Sequence, residues 1–289
     1  RIYLTRFIYD LYNMSNNSIV PRNLNEPEDK FEMPVDAVLL AGGLIKDLPA
    51  SEPKVAGKGH IMIGDKPMSA YALAALRQSK KIRRIILVSP MKREDLGPEW
   101  EGLDEVVPAG SSLTESLFSG LKALPLSDDP VLLVAGDLPF LSVEAVDDFL
   151  DRCAAERHNV LWYGFLDKAV SQAKYPEVRH TWVKMVEGTF CGGGLTCLRG
   201  NIAEAIREAM DTVTAGRKNP FKLAGILGLK TLFYLLIGRL TIPMAEEAAA
   251  RLLKLPCCGI VSPYAETAYN IDDAESLEQA RRRLSNPSN

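Results

Sequence analysis

The fold of this chain is decided by the stretch VDAVLLAGG, which runs from Val35 to Gly43. Its first six residues are almost continuously apolar, which is typical of a strand buried on both faces of a sheet. The glycines that follow let the backbone turn tightly and approach a ligand, with N–H groups that can face phosphate oxygens. The pattern is neither the G-x-G-x-x-G of a dinucleotide site nor the G-x-x-x-x-G-K-[ST] of a P-loop. It predicts a buried strand that ends in a glycine turn.

Strands and helices alternate along the first half of the chain. The apolar runs predict further strands over 84–89, 105–107, 130–135 and 160–165, and helices over 65–77, 112–124 and 143–156. This regular alternation predicts a mostly parallel sheet with helices on both faces, which is a three-layer α/β/α fold.

The second half is less regular. We expect strands over 181–187 and 257–262, and helices over 201–210, 243–254 and 274–284, the last capped by Asp273. The stretch 189–198 carries three successive glycines at 192–194. Residues 1–33 are polar and rich in asparagine after a short aromatic start, which predicts a poorly ordered extension. Residues 34–289 are then one domain with a lid-like helical insertion at about 214–255.

The apolar run over 221–242 allows two interpretations. Lys222, Lys230 and Arg239 interrupt it, so we expect a packed helix or helical hairpin and no transmembrane span. Residues 229–240 nevertheless carry an apolar face at helical spacing. Contact with a membrane surface is the weaker alternative for that face.

Composition excludes several classes of protein. Of 289 residues 47% are hydrophobic and 25% charged, and the formal net charge is −3, which does not fit a protein that coats nucleic acid. Five cysteines, an odd number without a C-x-x-C pair, and three scattered histidines favour reduced thiols over a disulfide framework or a zinc site. We expect a cytoplasmic protein.

Two charged residues follow glycine-rich or apolar segments. Lys58 lies in the loop Gly57-Lys58-Gly59, where an ammonium could neutralise a triphosphate, although an isolated lysine is more often a solvated surface residue. Asp137 directly follows the strand over 130–135, at the carboxyl end, where open α/β sheets bind ligands. Capping of a helix or a turn is the alternative role for this carboxylate.

These motifs together resemble the nucleotidyltransferases of the molybdenum cofactor guanylyltransferase type, within the wider group of sugar-phosphate and cytidylyl transferases. The resemblance covers most of 34–284 through the order and spacing of five motifs. They are Leu40-Ala41-Gly42-Gly43, Lys58 with Lys66-Pro67, Gly110–Leu117, Asp137-Leu138-Pro139 and Asn270–Glu275.

The resemblance implies a Rossmann-like nucleotide-diphospho-sugar transferase fold of the glycosyltransferase-A type and a role for each motif. The nucleotide would be held by Leu40, Ala41, Gly42 and Gly43, and its phosphates would be bound by Lys58. The loop before Lys58 lacks the arginine that is usual in the family, and Lys46 or Lys54 would take its place. The base and ribose would lie near Gly110, Ser111, Thr114 and Ser116. Asp137 would bind Mg²⁺ together with Asp272 or Asn270, and Gly192, Gly193 and Gly194 would face the acceptor.

The function implied is Mg²⁺-dependent transfer of a nucleoside monophosphate to a phosphorylated acceptor, with Lys58, Asp137 and Asp272 as the catalytic set and pyrophosphate as the second product. By resemblance GTP is the favoured donor, with CTP as an alternative. The acceptor implied is a molybdopterin-like compound or a sugar phosphate. A homodimer is one possible assembly. A glycosyltransferase is the competing enzyme, but such enzymes usually carry Asp-x-Asp and position 135 is Ala. A nucleotide-binding regulator without catalysis is the non-enzyme alternative.

Overall fold

The computed structural model describes residues 30–43, 52–125, 127–203, 206–207 and 228–285. The N-terminal segment up to residue 29, Lys46, the predicted helix from residue 208 onward and the part of the predicted insertion at 214–227 lie outside the described residues. The domain described below begins at Phe31.

The main sheet has eight strands. In chain order they are β1 (Val35–Leu40), β4 (Ile82–Ser89), β5 (Glu105–Pro108), β6 (Pro130–Ala135), β7 (Leu161–Asp167), β8 (Val183–Lys184), β9 (Thr189–Arg199) and β10 (Cys257–Ser262). The spatial order is β10-β7-β9-β6-β1-β4-β5, with β8 paired to β9. A separate hairpin pairs β2 (Met62–Ile63) with β3 (Lys66–Pro67).

Strand β1 pairs in parallel with β4 on one side and β6 on the other, so the carboxyl ends of all three strands meet at one edge. Strand β9 runs antiparallel to both β6 and β7, while β10 pairs with β7 in parallel. The sheet is therefore mixed and mostly parallel. The N-terminal part of β9 reaches the same edge at which β6 ends.

Seven α-helices occur among the described residues: α1 (Met68–Gln78), α2 (Leu113–Lys122), α3 (Val143–Ala155), α4 (Lys168–Lys174), α5 (Leu229–Leu236), α6 (Ile242–Leu253) and α7 (Ala274–Ser285). Successive side chains of β1 point to opposite faces of the sheet, as strand geometry requires. Leu39 packs with α1 and α3, whereas Val38 packs with α2 on the other face. The expected three-layer α/β/α arrangement is confirmed.

Three predicted boundaries were wrong. The helix expected from Asp65 begins at Met68, because Gly64 adopts φ 64° in the turn of the β2–β3 hairpin. The strand expected over 181–187 shortens to β8. Helix α5 ends at Leu236 ahead of Gly238, which has φ 65°, so Leu240 lies beyond the predicted helical face.

The apolar surface of α5 is only partly covered. Tyr234 and Leu235 pack with Met185, Phe190 and Leu240, whereas Phe233 and Leu236 are exposed. No helix in the described part of the chain is long and apolar enough to cross a membrane.

Candidate active site

The glycine turn, Lys58 and Asp137 are held at one edge of the sheet by backbone hydrogen bonds. Gly136 N–H donates to the Leu40 carbonyl at 2.9 Å, which fixes Asp137 beside the end of β1. Lys58 N–H donates to the Gly43 carbonyl at 2.9 Å and folds its loop onto the same turn. The Gly136 bond continues the parallel pairing of β1 with β6, which brings the carboxyl ends of these two strands together. The site therefore lies where open α/β sheets bind ligands.

Two glycines at this edge have a structural reason, one conformational and one steric. Gly43 has φ 83°, a conformation that side chains disfavour. A Cβ built on Gly59 would lie 2.2 Å from Ser69 Oγ and 2.7 Å from the Ala41 Cβ, so any side chain there would displace the lysine loop. The backbone of Lys58 can approach the turn only because Gly59 lacks a side chain.

The Lys58 ammonium lies between two carboxylates. It contacts Asp137 and donates to Asp272 Oδ1 at 2.9 Å. Asn270 Nδ2 in turn donates to Asp137 Oδ1 at 3.1 Å. Burial disfavours the charged lysine, but Asp137 and Asp272 outweigh burial and raise the pKa of Lys58 above its ordinary value. The lysine is therefore held in its charged form at neutral pH.

Asp272 is supplied by the opposite end of the chain. Its backbone N–H donates to Ser276 Oγ at 3.1 Å, and Asp273 caps α7 by accepting from Ser276 N–H at 2.8 Å, as predicted. The side chain of Asp272 is 78% exposed, against 14% for Asp137. One carboxylate is thus fixed within the site, and the other faces solvent and any incoming ligand.

The oxygen atoms of the Asp137 and Asp272 carboxylates are of the chemical type that binds a magnesium ion. They already converge on one cation, the Lys58 ammonium, and carboxylate oxygens are hard ligands of the type Mg²⁺ takes. No group of three or more His, Cys, Asp or Glu side chains in the described part of the chain could hold a metal. Mg²⁺ does not need such a cage, because it usually binds one or two carboxylates and completes its shell with water and substrate phosphates.

The segment before α2 lies beside the glycine turn. A Cβ built on Gly42 would lie 3.1 Å from the Ala109 Cβ. Ser112 caps α2 by accepting from Glu115 N–H, and the Glu115 carboxylate accepts from Ser111 N–H at 2.7 Å and Ser111 Oγ at 2.6 Å. These bonds order the loop that was predicted to hold base and ribose.

The other predicted residues of this segment differ in exposure. Ser116 is buried, with its hydroxyl 3.0 Å from Gly110 N–H, and Thr114 is half-buried. Lys54 is exposed in the loop that precedes Lys58, and the described residues place no contact between Lys54 and the carboxylates. Their predicted contacts with nucleotide stay predictions.

A cleft of about 420 Å³ opens next to the carboxylates. It is lined by Arg179, His180, Thr181, Cys191, Gly192, Asn270 and Asp272. Among the three glycines predicted to face the acceptor, Gly192 lines this cleft. A Cβ on Gly194 would lie 2.7 Å from Leu138 Cδ1, so Gly194 is needed for packing. A Cβ on Gly193 would make a tight contact of 3.3 Å with the Thr267 carbonyl oxygen.

Sequence reasoning missed Arg179, His180 and Thr181. They belong to an irregular segment between α4 and β8, where periodicity carries no signal. The available signal was two adjacent basic side chains shortly before the glycine-rich strand β9.

A family model for the MobA-like NTP transferase domain matches residues 37–219. The chain belongs to this family. The match starts within β1 and includes the glycine turn, Lys58, the α2 loop and Asp137, which are the residues that the structure brings together. The expectation of a nucleotidyltransferase domain is thereby confirmed at the level of the family.

Curated relatives and solved structures agree with this assignment. The chain is 31% identical over 132 residues to the bifunctional protein GlmU of Cupriavidus metallidurans, covering 44% of this chain and 27% of the relative. It is 31% identical over 119 residues to a 2-C-methyl-D-erythritol 4-phosphate cytidylyltransferase of Clostridium beijerinckii, covering 39% and 50%. A hypothetical transferase structure from Thermus thermophilus superposes with a TM-score of 0.71 at 28% identity, covering 84% of this chain and 99% of that one. The chain thus spans from 27% to 50% of the length of these two curated relatives.

Proposed function

We propose that this protein transfers a nucleoside monophosphate from a nucleoside triphosphate to a phosphorylated acceptor and releases pyrophosphate. The observation that carries the proposal is the charged Lys58 ammonium between Asp137 and Asp272, beside a glycine turn that exposes backbone to a ligand. A triphosphate needs cations and N–H donors, and this edge of the sheet offers both. The cleft lined by Gly192 and Asp272 leaves room for an acceptor beside them.

This reaction requires neutralisation of the phosphate charges and in-line positioning of the reactants more than it requires a general base. An oxygen of the acceptor phosphate attacks the α-phosphorus, the bond from that phosphorus to the β-phosphate oxygen breaks, and the bonding electron pair leaves with pyrophosphate. A phosphomonoester has a second pKa of about 6, so the nucleophile is already ionised at neutral pH. Lys58 would stabilise the negative charge that develops on the departing pyrophosphate, and the backbone of Gly42 and Gly43 would position the triphosphate.

Asp137 and Asp272 would hold Mg²⁺, with Asn270 orienting Asp137 through its hydrogen bond. When bound, Mg²⁺ supplies further neutralisation of the phosphate charges. Because Lys58 contacts both carboxylates, the lysine would turn toward the triphosphate as the ligand binds. A long, flexible lysine side chain with a single point charge suits such a rearrangement.

We propose guanine as the base, on the resemblance of the five motifs to molybdenum cofactor guanylyltransferases. A molybdopterin-like compound is then the acceptor. The Clostridium beijerinckii relative, named for cytidylyl transfer to an erythritol phosphate, supports CTP and a sugar-like phosphate as the second candidate pair. The lining of the cleft does not distinguish between these two pairs, so donor and acceptor have to be decided by experiment.

The deciding experiment measures the thermal unfolding of the protein with GTP, CTP, ATP and UTP, each with and without Mg²⁺. A ligand that binds only the folded state stabilises it by about 2.7 kcal/mol at a hundred times its dissociation constant. We expect a Mg²⁺-dependent stabilisation by one nucleotide, followed by pyrophosphate release when a panel of phosphorylated acceptors is added. Absence of stabilisation by all four nucleotides would contradict the proposal. Binding without pyrophosphate release across the panel would favour the regulatory alternative.

A further inference from the structure

The cleft beside the carboxylates has one basic wall. Arg179 and His180 form it, and they stand in the segment that connects α4 to β8. Asn270 and Asp272 line the same cleft, and Asp272 also contacts Lys58. A ligand that fills the cleft therefore lies next to the position proposed for the triphosphate.

The guanidinium of Arg179 is available to a ligand. Its side chain is 84% exposed, and its ion pair with Glu275 is 3.4 Å long, with Glu275 itself half exposed. Such exposed ion pairs contribute little to stability, because solvent screens the charges and long side chains lose entropy. The guanidinium can therefore exchange Glu275 for a better acceptor at little cost. Its planar fork matches two oxygens of a phosphate.

The ring of His180 is held in place. It packs edge to face against Trp182, with 4.9 Å between ring centroids. The Lys168 ammonium lies over the same Trp182 ring, 5.8 Å from its centroid. An imidazole carries at least one N–H donor in either ionisation state. A fixed donor beside a mobile guanidinium is a suitable arrangement for a tetrahedral anion.

The body of an acceptor would lie along Gly192, which lines the same cleft. Gly192 is exposed there, and a Cβ built on it would lie 2.3 Å from Tyr163 Oη. A side chain at position 192 would therefore displace Tyr163. The Tyr163 ring is 41% exposed on this side of the sheet.

We propose that Arg179 and His180 bind the phosphate of the acceptor and direct one of its oxygens toward the triphosphate site. The inference rests on the proposed function, since it assigns the acceptor side of that reaction. Asp272 does not oppose the anion with its full charge, because Lys58 is paired to it in the free protein, and Mg²⁺ would take that place once Lys58 turns toward a triphosphate. The class of ligand is a phosphomonoester whose phosphate lies at the basic wall and whose remaining part extends over Gly192.

Binding of phenyl phosphate to the complete chain tests the assignment without knowledge of the natural acceptor. Its affinity is measured by calorimetry for the wild type, Arg179→Ala, Arg179→Lys and Arg152→Ala, with phenol as a neutral control ligand. Arg152 is the matched control, because it is an exposed arginine of α3 that pairs with Asp148 one turn earlier. Thermal unfolding checks that each variant is folded.

We expect Arg179→Ala to weaken phenyl phosphate binding about tenfold, as loss of a charge-assisted hydrogen bond implies. Arg179→Lys should lie between wild type and Arg179→Ala, since a lysine keeps the charge but lacks the fork. Arg152→Ala should bind as the wild type does, and phenol should bind none of the four proteins measurably. Equal affinities of Arg179→Ala and wild type, or no binding by the wild type, would overturn the assignment.

Failure of the proposed function gives a different result. If no nucleotide stabilises the wild type but Arg179→Ala still binds phenyl phosphate more weakly than the wild type does, the phosphate site at Arg179 is supported and the proposed nucleotidyl transfer is contradicted. If a nucleotide stabilises the wild type and Arg179→Ala keeps its phosphate affinity, nucleotidyl transfer stands and the acceptor phosphate binds elsewhere.

Discussion

Asp272 accepts a hydrogen bond from the Lys58 ammonium at 2.9 Å, although 214 positions separate the two residues in the chain. The same ammonium contacts Asp137 at the end of β6. One lysine thus joins the loop after the glycine turn, the central sheet and the segment before α7. Without a cation between them, the two carboxylates would repel each other, so the lysine stabilises the site.

Replacing Lys58 with methionine should make the stability of the protein depend on magnesium. The variant leaves Asp137 and Asp272 without their shared cation, which should lower the free energy of unfolding by about 3 kcal/mol at most. Mg²⁺ alone should then raise the melting temperature of Lys58→Met more than that of the wild type, where the ammonium competes for the carboxylates. Thermal unfolding with and without MgCl₂ measures both effects.

Lys81→Met is the control for that measurement, because Lys81 forms an ion pair with Asp151 on the surface, away from the site. Its melting temperature should respond to Mg²⁺ as the wild type does. An equal Mg²⁺ response in Lys58→Met and the wild type would contradict a metal site at these carboxylates.

Asp137→Asn should abolish most of the activity and leave the fold intact. The amide oxygen of the new side chain can still accept from Asn270, and Lys58 keeps its bond to Asp272, so we expect a smaller loss of stability than for Lys58→Met. The lost charge should lower kcat about 100-fold or more, the range typical of removing one electrostatic stabiliser. Pyrophosphate release measures the effect. Asp151→Asn serves as the matched surface control, and a kcat of Asp137→Asn within threefold of wild type would remove Asp137 from the mechanism.

The strands of the sheet could be predicted from sequence where apolar runs are continuous. The predicted bounds of β1, β6 and β10 agree with the structure. β1 and β6 are buried on both faces, which makes their pattern continuously apolar, whereas β10 is an edge strand that is mostly half-buried. The direction of the strands could not be predicted in the same way. Nothing in the residues of β9 indicates that it runs antiparallel between β6 and β7, since alternation of side chains is the same in either direction.

The site could be predicted only in part. Gly42, Lys58 and Asp137 follow recognisable segments, but the approach of Asp272 depends on the whole chain and was expected only through resemblance to a family. The basic wall formed by Arg179 and His180 has no regular structure and no motif. It becomes visible once tertiary packing brings it to the same cleft as Gly192.

Gly59→Ala should destabilise the protein by packing alone. The added Cβ would lie 2.2 Å from Ser69 Oγ, whose hydroxyl already donates to the Gly136 carbonyl at 2.6 Å. Overpacking of this kind costs about 1–3 kcal/mol. Chemical denaturation should give a smaller loss for Gly59→Ala combined with Ser69→Ala than the sum of the single losses, because the first clash disappears. Lys54→Ala, an exposed change in the same loop, should stay within about 0.5 kcal/mol of wild type.

The pair Glu52–Arg281 should make stability depend on acid pH. Arg281 donates to both carboxylate oxygens of Glu52, at 2.5 and 2.9 Å, and these hydrogen bonds hold the pKa of Glu52 below its ordinary value of 4.5. A depressed carboxylate pKa adds stability that is complete above the unfolded pKa and is lost as pH falls through the folded one. Arg281→Met should therefore lower the melting temperature by a constant amount above about pH 5, and this difference from wild type should shrink below pH 4.5. Arg282→Met, an exposed change on the same helix, should show no such convergence. A difference between Arg281→Met and wild type that persists unchanged to pH 3 would mean that Arg281 acts through its bonds to the Met62 carbonyl instead.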